Sequence, residues 1–100
     1  MITQAQGNSL RMRCPGELNA ANAAAFRDEA RAAITGTVTT LDIDLSTTTF
    51  VDSSGLGSLI ALHKTMATRG GVVRLLTPTA TVYQILELTR LQRVFEIVKN

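Results

Sequence analysis

The stretch from Phe50 to Gly57, FVDSSGLG, limits the fold more than any other, because a strand pattern precedes it and a helix pattern follows it. Ahead of it, Thr40 to Leu45 reads TLDIDL, with Leu41, Ile43 and Leu45 alternating with Asp42 and Asp44, the period of a strand with one buried face. Behind it, apolar residues recur at helical spacing. The stretch is therefore expected to be a strand-to-helix turn, with Asp52, Ser53 and Ser54 where the helix starts. A helix start offers backbone N–H groups without intrahelical partners and the positive end of the helix dipole. A serine placed there is suited to carrying a phosphate.

Read in order, the rest of the chain alternates the same two patterns. Ile2 to Gln6 reads as a short edge strand, followed by a turn at Gly7-Asn8 and a strand from Ser9 to Cys14 that Pro15-Gly16 ends. Asn22 is expected to cap a helix over Ala23 to Ile34, with Phe26, Ala30, Ala33 and Ile34 on one face and Gly36 closing it. The helix after the central turn should run from about Ser54 to Thr68, with Ser53 as its N-cap. Leu56, Leu59, Ile60, Leu62, Met66 and Ala67 share its apolar face, and Ser58, Lys64, Thr65 and Thr68 lie opposite. Gly55 and Gly57 fall in its first turns, where their poor helix propensity points to close packing or to close approach by something else. Arg69-Gly70-Gly71 ends the helix, Val72 to Leu76 reads as a buried strand, and Thr77-Pro78-Thr79 opens a third helix carrying Val82, Ile85, Leu86 and Thr89 on one face. Val94 to Val98 is expected as a final strand. Strands alternating with helices in this way predict an α/β fold: a mostly parallel mixed sheet of four or five strands with three main helices as right-handed crossovers.

A chain of 100 residues, 45% of them hydrophobic, is of a size to fold as one domain with one core. The net charge of +2 is spread over ten basic and eight acidic residues without a basic run, and aromatics make up only 4%. That distribution lacks the footprint of a nucleic-acid binder, so no direct nucleic-acid partner is expected. The single cysteine, Cys14, has no internal disulfide partner and reads as a core-facing residue of a protein in a reducing compartment. No secretory signal pattern and no membrane-length apolar run occurs, which predicts a cytoplasmic protein without a membrane association.

Four motifs together, FVDSSGLG after a strand, PGELN before the first helix, RGG before the third main strand and LTRLQRVFEI near the end, resemble the STAS domain over essentially the whole chain. The length resembles that of the bacterial anti-sigma factor antagonists. The resemblance implies a STAS-like single domain over residues 1–100 that acts as a switch and has no catalytic site. In such proteins the unphosphorylated form binds an anti-sigma factor that is also a serine kinase, which releases the sigma factor. The kinase phosphorylates the serine after the aspartate, here Ser53, and a metal-dependent serine phosphatase reverses the modification. The implied partner-binding residues are Asn19, Asp52, Ser53, Ser54, Gly55 and Leu56. Two positions depart from the pattern: Asn19 stands where the family usually has Asp, and Arg90 where it often has Gly. If position 90 is left-handed, the arginine costs about 1 kcal/mol.

A serine hydrolase needs a base within hydrogen-bond reach of its nucleophile. The one histidine, His63, lies nine or ten residues along the same helix from the serines, roughly 14 Å at 1.5 Å per residue. It is expected instead to be a packed, hydrogen-bonded residue among Leu59, Ile60 and Met66. The sequence has no nucleophile elbow, phosphate-binding loop or metal-ligand spacing, so no enzyme activity, cofactor or metal of its own is expected, and any ATP belongs to the partner. The alternative within the resemblance is a STAS scaffold subunit of a stress-sensing or lipid-transport complex. An exposed apolar strip near Leu56 and Leu59 would serve either role.

Overall fold

In the computed structural model, which describes residues 2–99 and of residues 2–6 the backbone alone, the strands β1 (Ile2–Gln6) and β2 (Ser9–Arg13) form an antiparallel hairpin. The hairpin turns at Gly7, whose φ of 58° is left-handed. From β2 onward the main sheet is parallel. Strands β4 (Thr40–Asp44), β6 (Val72–Leu76) and β7 (Glu96–Val98) follow it in space, giving the order β1-β2-β4-β6-β7. A separate pair, β3 (Glu17–Leu18) with β5 (Phe50–Val51), is also parallel. Helices α1 (Ala23–Ala33), α2 (Ser53–Thr68) and α3 (Ala80–Leu88) connect the strands. The expected α/β architecture with a mostly parallel five-stranded sheet and three main helices is the observed one.

One face of the sheet holds the core. Leu10, Leu41 and Val73 sit side by side across β2, β4 and β6, and Met12, Ile43, Leu75 and Ile97 form the next row out to β7. Phe26 and Ala30 from α1, Leu59, Leu62 and Met66 from α2, and Val82 and Leu86 from α3 join the same cluster. All three helices therefore lie against this one face. Burying each large side chain of this kind stabilises the fold by about 1.5–3 kcal/mol.

Among the described residues no helix lies over the other face. There the register sets Arg11, Asp42, Arg74 and Glu96 in one row of alternating charge across four strands. Arg74 grips Asp42 through two hydrogen bonds, Nε to Oδ1 at 2.7 Å and Nη2 to Oδ2 at 3.0 Å. Asp44, one row along, is met by Arg11 at 3.4 Å and Arg13 at 3.9 Å. The arginine stems cover Asp42 and Asp44, so β4 is buried on both faces rather than on the single face its alternation predicts.

Local differences from the pattern have physical causes. Ser58 is buried, not on the polar face of α2, because α1 packs beside it and its hydroxyl donates to the Gly55 carbonyl at 2.7 Å. Ala67 is exposed, since the buried stripe of α2 runs through Gly55, Ser58, Leu59, Leu62 and Met66. Helix α1 stops at Ala33 with Ile34 as its extended C-cap, before Gly36 is reached. The final strand is shorter than expected, Glu96–Val98, because a 3-10 turn at Leu91–Arg93 precedes it and seats Phe95 in the core. Arg90, with φ of 61°, does occupy a left-handed position.

Candidate functional site

The pair β3 and β5 builds the site although each strand is two residues long. Glu17 pairs with Phe50 and Leu18 with Val51, which sets the loop before α1 beside the turn before α2. The Asp52 N–H then donates to the Leu18 carbonyl at 3.1 Å, extending the pairing one step. The turn into α2 thus leaves this small pair rather than β4, which ends at Asp44; Leu45 to Thr49 bridge the two. Gly55 explains how α2 lies so close to β3: it is buried, and a Cβ there would collide with the Leu18 carbonyl oxygen. At this glycine, close packing is the reason for the residue type.

Asp52, not Ser53, is the N-cap of α2. Its Oδ1 accepts from the Gly55 N–H at 2.9 Å, and its carbonyl accepts the first helical bond from Leu56 at 2.9 Å. Its Oδ2 accepts from the Ala20 N–H at 3.2 Å, so one carboxylate fastens two loops. Ser53 is consequently the first helical residue and Ser54 the second; both are exposed, and among the described residues neither hydroxyl makes a hydrogen bond. Asp52 holds the cap position with the open-end donors Gly55 and Leu56, and leaves the Ser53 and Ser54 N–H groups as the unpartnered ones.

Asn19 sits across from this turn. Its Oδ1 accepts from the Ala21 N–H at 3.0 Å, and its own N–H donates to Asn22 Oδ1 at 2.9 Å. Asn22 stands at the N-cap position of α1 but makes no side-chain cap bond, because its amide turns back to Asn19 and to the Glu17 carbonyl at 2.8 Å. Leu56 is half-buried against the core and Leu59 is fully buried in it, so the exposed apolar strip expected at these two residues is absent: the stripe of α2 that carries Leu59 faces the sheet. Phe50 is 47% exposed, an aromatic ring left in solvent two residues ahead of Asp52. The structure therefore brings Asn19, Asp52, Ser53 and Ser54 to one end of the molecule, with Gly55 beneath them and Leu56 at their edge. Phe50 joins this end and had no sequence signal of its own, since an apolar residue in a strand pattern is ordinarily buried.

Among the described residues the Ser53 and Ser54 hydroxyls hydrogen-bond to no histidine and no carboxylate. His63 is half-buried, its ring edge-on to Phe95 with centroids 5.7 Å apart and an interplanar angle of 73°. Packing is thus found for it, against Phe95, but the expected side-chain hydrogen bond is not present among the described residues. Burial pushes the Cys14 thiol up, against an opposing hydrogen bond from Thr48, so it stays a protonated core residue at neutral pH. Among the described residues no three His, Cys, Asp or Glu side chains group as metal ligands, and no helix is long and apolar enough to cross a membrane. What the turn can do chemically is present two free hydroxyls at the positive end of a 16-residue helix.

An exposed Asp-Ser-Ser turn on a helix-backed, mostly parallel sheet is the frame of the site, and the family model for the STAS domain matches residues 1–100: the chain belongs to the STAS family. Among solved structures it is similar to SpoIIAA in its unphosphorylated form, at 23% identity and a TM-score of 0.84, covering 100% of this chain and 88% of that one. It is similar also to the Bacillus cell fate determinant SpoIIAA in the phosphorylated form, at 22% identity and a TM-score of 0.75, covering 100% and 91%. An anti-sigma factor antagonist from Mycobacterium paratuberculosis matches at 22% identity with a TM-score of 0.84, covering 100% and 84%. At these identities the likeness establishes the shared fold.

Proposed function

We propose that this protein is an anti-sigma factor antagonist, a single domain over residues 1–100 switched by phosphorylation of Ser53. The observation that carries this reading is the division of labour at the turn. Asp52 supplies the cap, which leaves the Ser53 hydroxyl exposed and uncommitted at the helix start. In the unphosphorylated state the end formed by Asn19, Asp52, Ser53, Ser54, Gly55 and Leu56 binds an anti-sigma factor that is also a serine kinase, and a sigma factor is released. Gly55 contributes by letting α2 seat against β3, and the others by facing the partner.

A phosphate on Ser53 adds about −1.5 to −2 charge. It stands beside the Asp52 carboxylate, and the donors nearest it are the Ser53 and Ser54 N–H groups. The helix dipole favours the added charge by about 0.3–1 kcal/mol, while Asp52 repels it, so the phosphate is directed outward into the partner surface rather than folded onto the cap. That displaces the partner, and a metal-dependent serine phosphatase resets the switch. The protein brings no cofactor and no catalysis; ATP and metal belong to the partners, which places the cycle in the cytoplasm without nucleic acid or membrane.

Incubation with ATP and an anti-sigma serine kinase, followed by mass spectrometry, tests the assignment. Phosphate is expected on Ser53 and is expected to vanish in a folded Ser53→Ala variant. Phosphate on Ser54, or undiminished labelling of that variant, places the switch on the wrong hydroxyl.

A further inference from the structure

Gly57 differs from Gly55 in a way that helix α2 does not require. A Cβ built at Gly57 meets nothing within 4 Å, so the interior does not ask for a glycine there, yet glycine in a helix costs about 1 kcal/mol relative to alanine. Gly57 is exposed, and it is the residue at which two surface hollows meet. One hollow, of about 390 Å3, lies at the phosphoacceptor end and is lined by Ala20, Ala24, Arg27, Ser54 and Gly57 among others. The other, of about 420 Å3, continues along the helices past Arg31, Ala61, Lys64 and Thr65.

Together they make a groove that starts at Ser54 between α1 and α2 and continues over the outer side of α2 to Thr68, where Arg31 is the one residue of α1 that lines it. Its walls carry three cations, Arg27, Arg31 and Lys64, and no carboxylate; Asp28 and Glu29 of α1 line neither hollow. Arg27 is paired with Asp28 at 3.1 Å, and Arg31 donates to Thr65 Oγ1 at 3.3 Å across the groove. Lys64 is exposed with no ion pair among the described residues.

We propose that this groove, floored at Gly57, receives an acidic amphipathic helix of the partner protein. A floor of Ala24, Gly57 and Ala61 admits the close approach of a helix backbone, and the walls select its charge. The identity of the partner rests on the anti-sigma reading; the groove and its preference for acid do not. The arrangement also couples to the switch, because Ser54 at the groove mouth is adjacent to Ser53. A phosphate there lowers the positive potential that an acidic segment needs, and adds a like charge at its end.

The test uses the full-length, isotope-labelled protein and two synthetic helical peptides of the same apolar pattern, one with glutamates and one with lysines at the polar positions. Nuclear magnetic resonance titration is expected to give saturable shifts of the Ala24, Gly57, Ala61 and Lys64 amides with the acidic peptide and none with the basic one. Reversal of two walls in Arg31→Glu with Lys64→Glu, or filling of the floor in Gly57→Leu, should weaken binding roughly tenfold or more. Gly57→Ala should raise the melting temperature of the free protein, since nothing opposes the added methyl. Absence of saturable shifts, equal response to both peptides, shifts confined to other surfaces, or a folded Arg31→Glu/Lys64→Glu variant binding as wild type would each overturn the proposal. So would a Gly57→Ala protein less stable than the parent. Loss of Ser53 labelling in the kinase experiment would leave the peptide result standing, and the converse holds equally.

Discussion

At position 52 a single carboxylate does two jobs, and its neighbour is freed by that. Aspartate and serine are about equally good N-caps, so the local sequence Asp-Ser-Ser does not decide which residue closes the helix. The deciding contact comes from 32 positions away, where the Ala20 N–H takes the second carboxylate oxygen. That long-range bond is why the sequence points to Ser53 as the cap while the structure gives that role to Asp52. Replacing Asp52 by alanine removes the cap acceptor of Gly55 and leaves the Ala20 N–H to solvent. It should cost about 1–2 kcal/mol, read as a lower denaturant midpoint with an unchanged slope. The variant should also loosen the join between the two loops, seen as faster hydrogen exchange at Ala20 and Gly55. A midpoint equal to that of the parent would mean that the two hydrogen bonds contribute nothing in solution.

Among the elements, the long ones were legible and the two-residue ones were not. Strands β2, β4 and β6 and the three helices carry five or more residues of a clear period, whereas β3 and β5 are too short to show one. The exchange of Ser58 for Ala67 on the buried side of α2 was also hidden, because it depends on where α1 crosses. The uncovered sheet face illustrates a different limit: alternation marked Asp42 and Asp44 as solvent-facing, but the arginines that cover them come from neighbouring strands. Burial works against the charged Asp44 carboxylate. Hydrogen bonds from Ser46 and the Arg11 guanidinium outweigh it and hold its pKa below the ordinary value of 3.8. The unfolded chain therefore takes up this proton first. The stability that Asp44 contributes is fully present above the ordinary carboxylate range and is lost as pH falls through it toward the lower folded value. Asp44→Asn should accordingly flatten the acid limb of the stability profile below about pH 4. If Asp44→Asn unfolds with the same acid dependence as the parent, the ladder is not what titrates.

Across the whole molecule, the helices gather on one side of a parallel sheet, and the turn of interest sits where α2 begins, at the end of the molecule that also displays Phe50. The STAS family membership and the α/β architecture were both legible from motifs and periodicity, because each extends over the chain. The side on which the helices pack and the groove across Gly57 were not, since both are products of how α1 and α2 meet. Under the proposed switch, a phosphate on Ser53 would act on a surface larger than itself, because Ser53 adjoins Ser54 at the mouth of the cationic groove. The most direct measurement is isothermal calorimetry of the anti-sigma kinase against three forms of the protein: unphosphorylated, Ser53→Ala, and stoichiometrically phosphorylated on Ser53. The account predicts similar, measurable affinity for the first two, once equal folding is confirmed, and at least about tenfold weaker binding for the third. Equal affinity of the phosphorylated and unphosphorylated forms would contradict it.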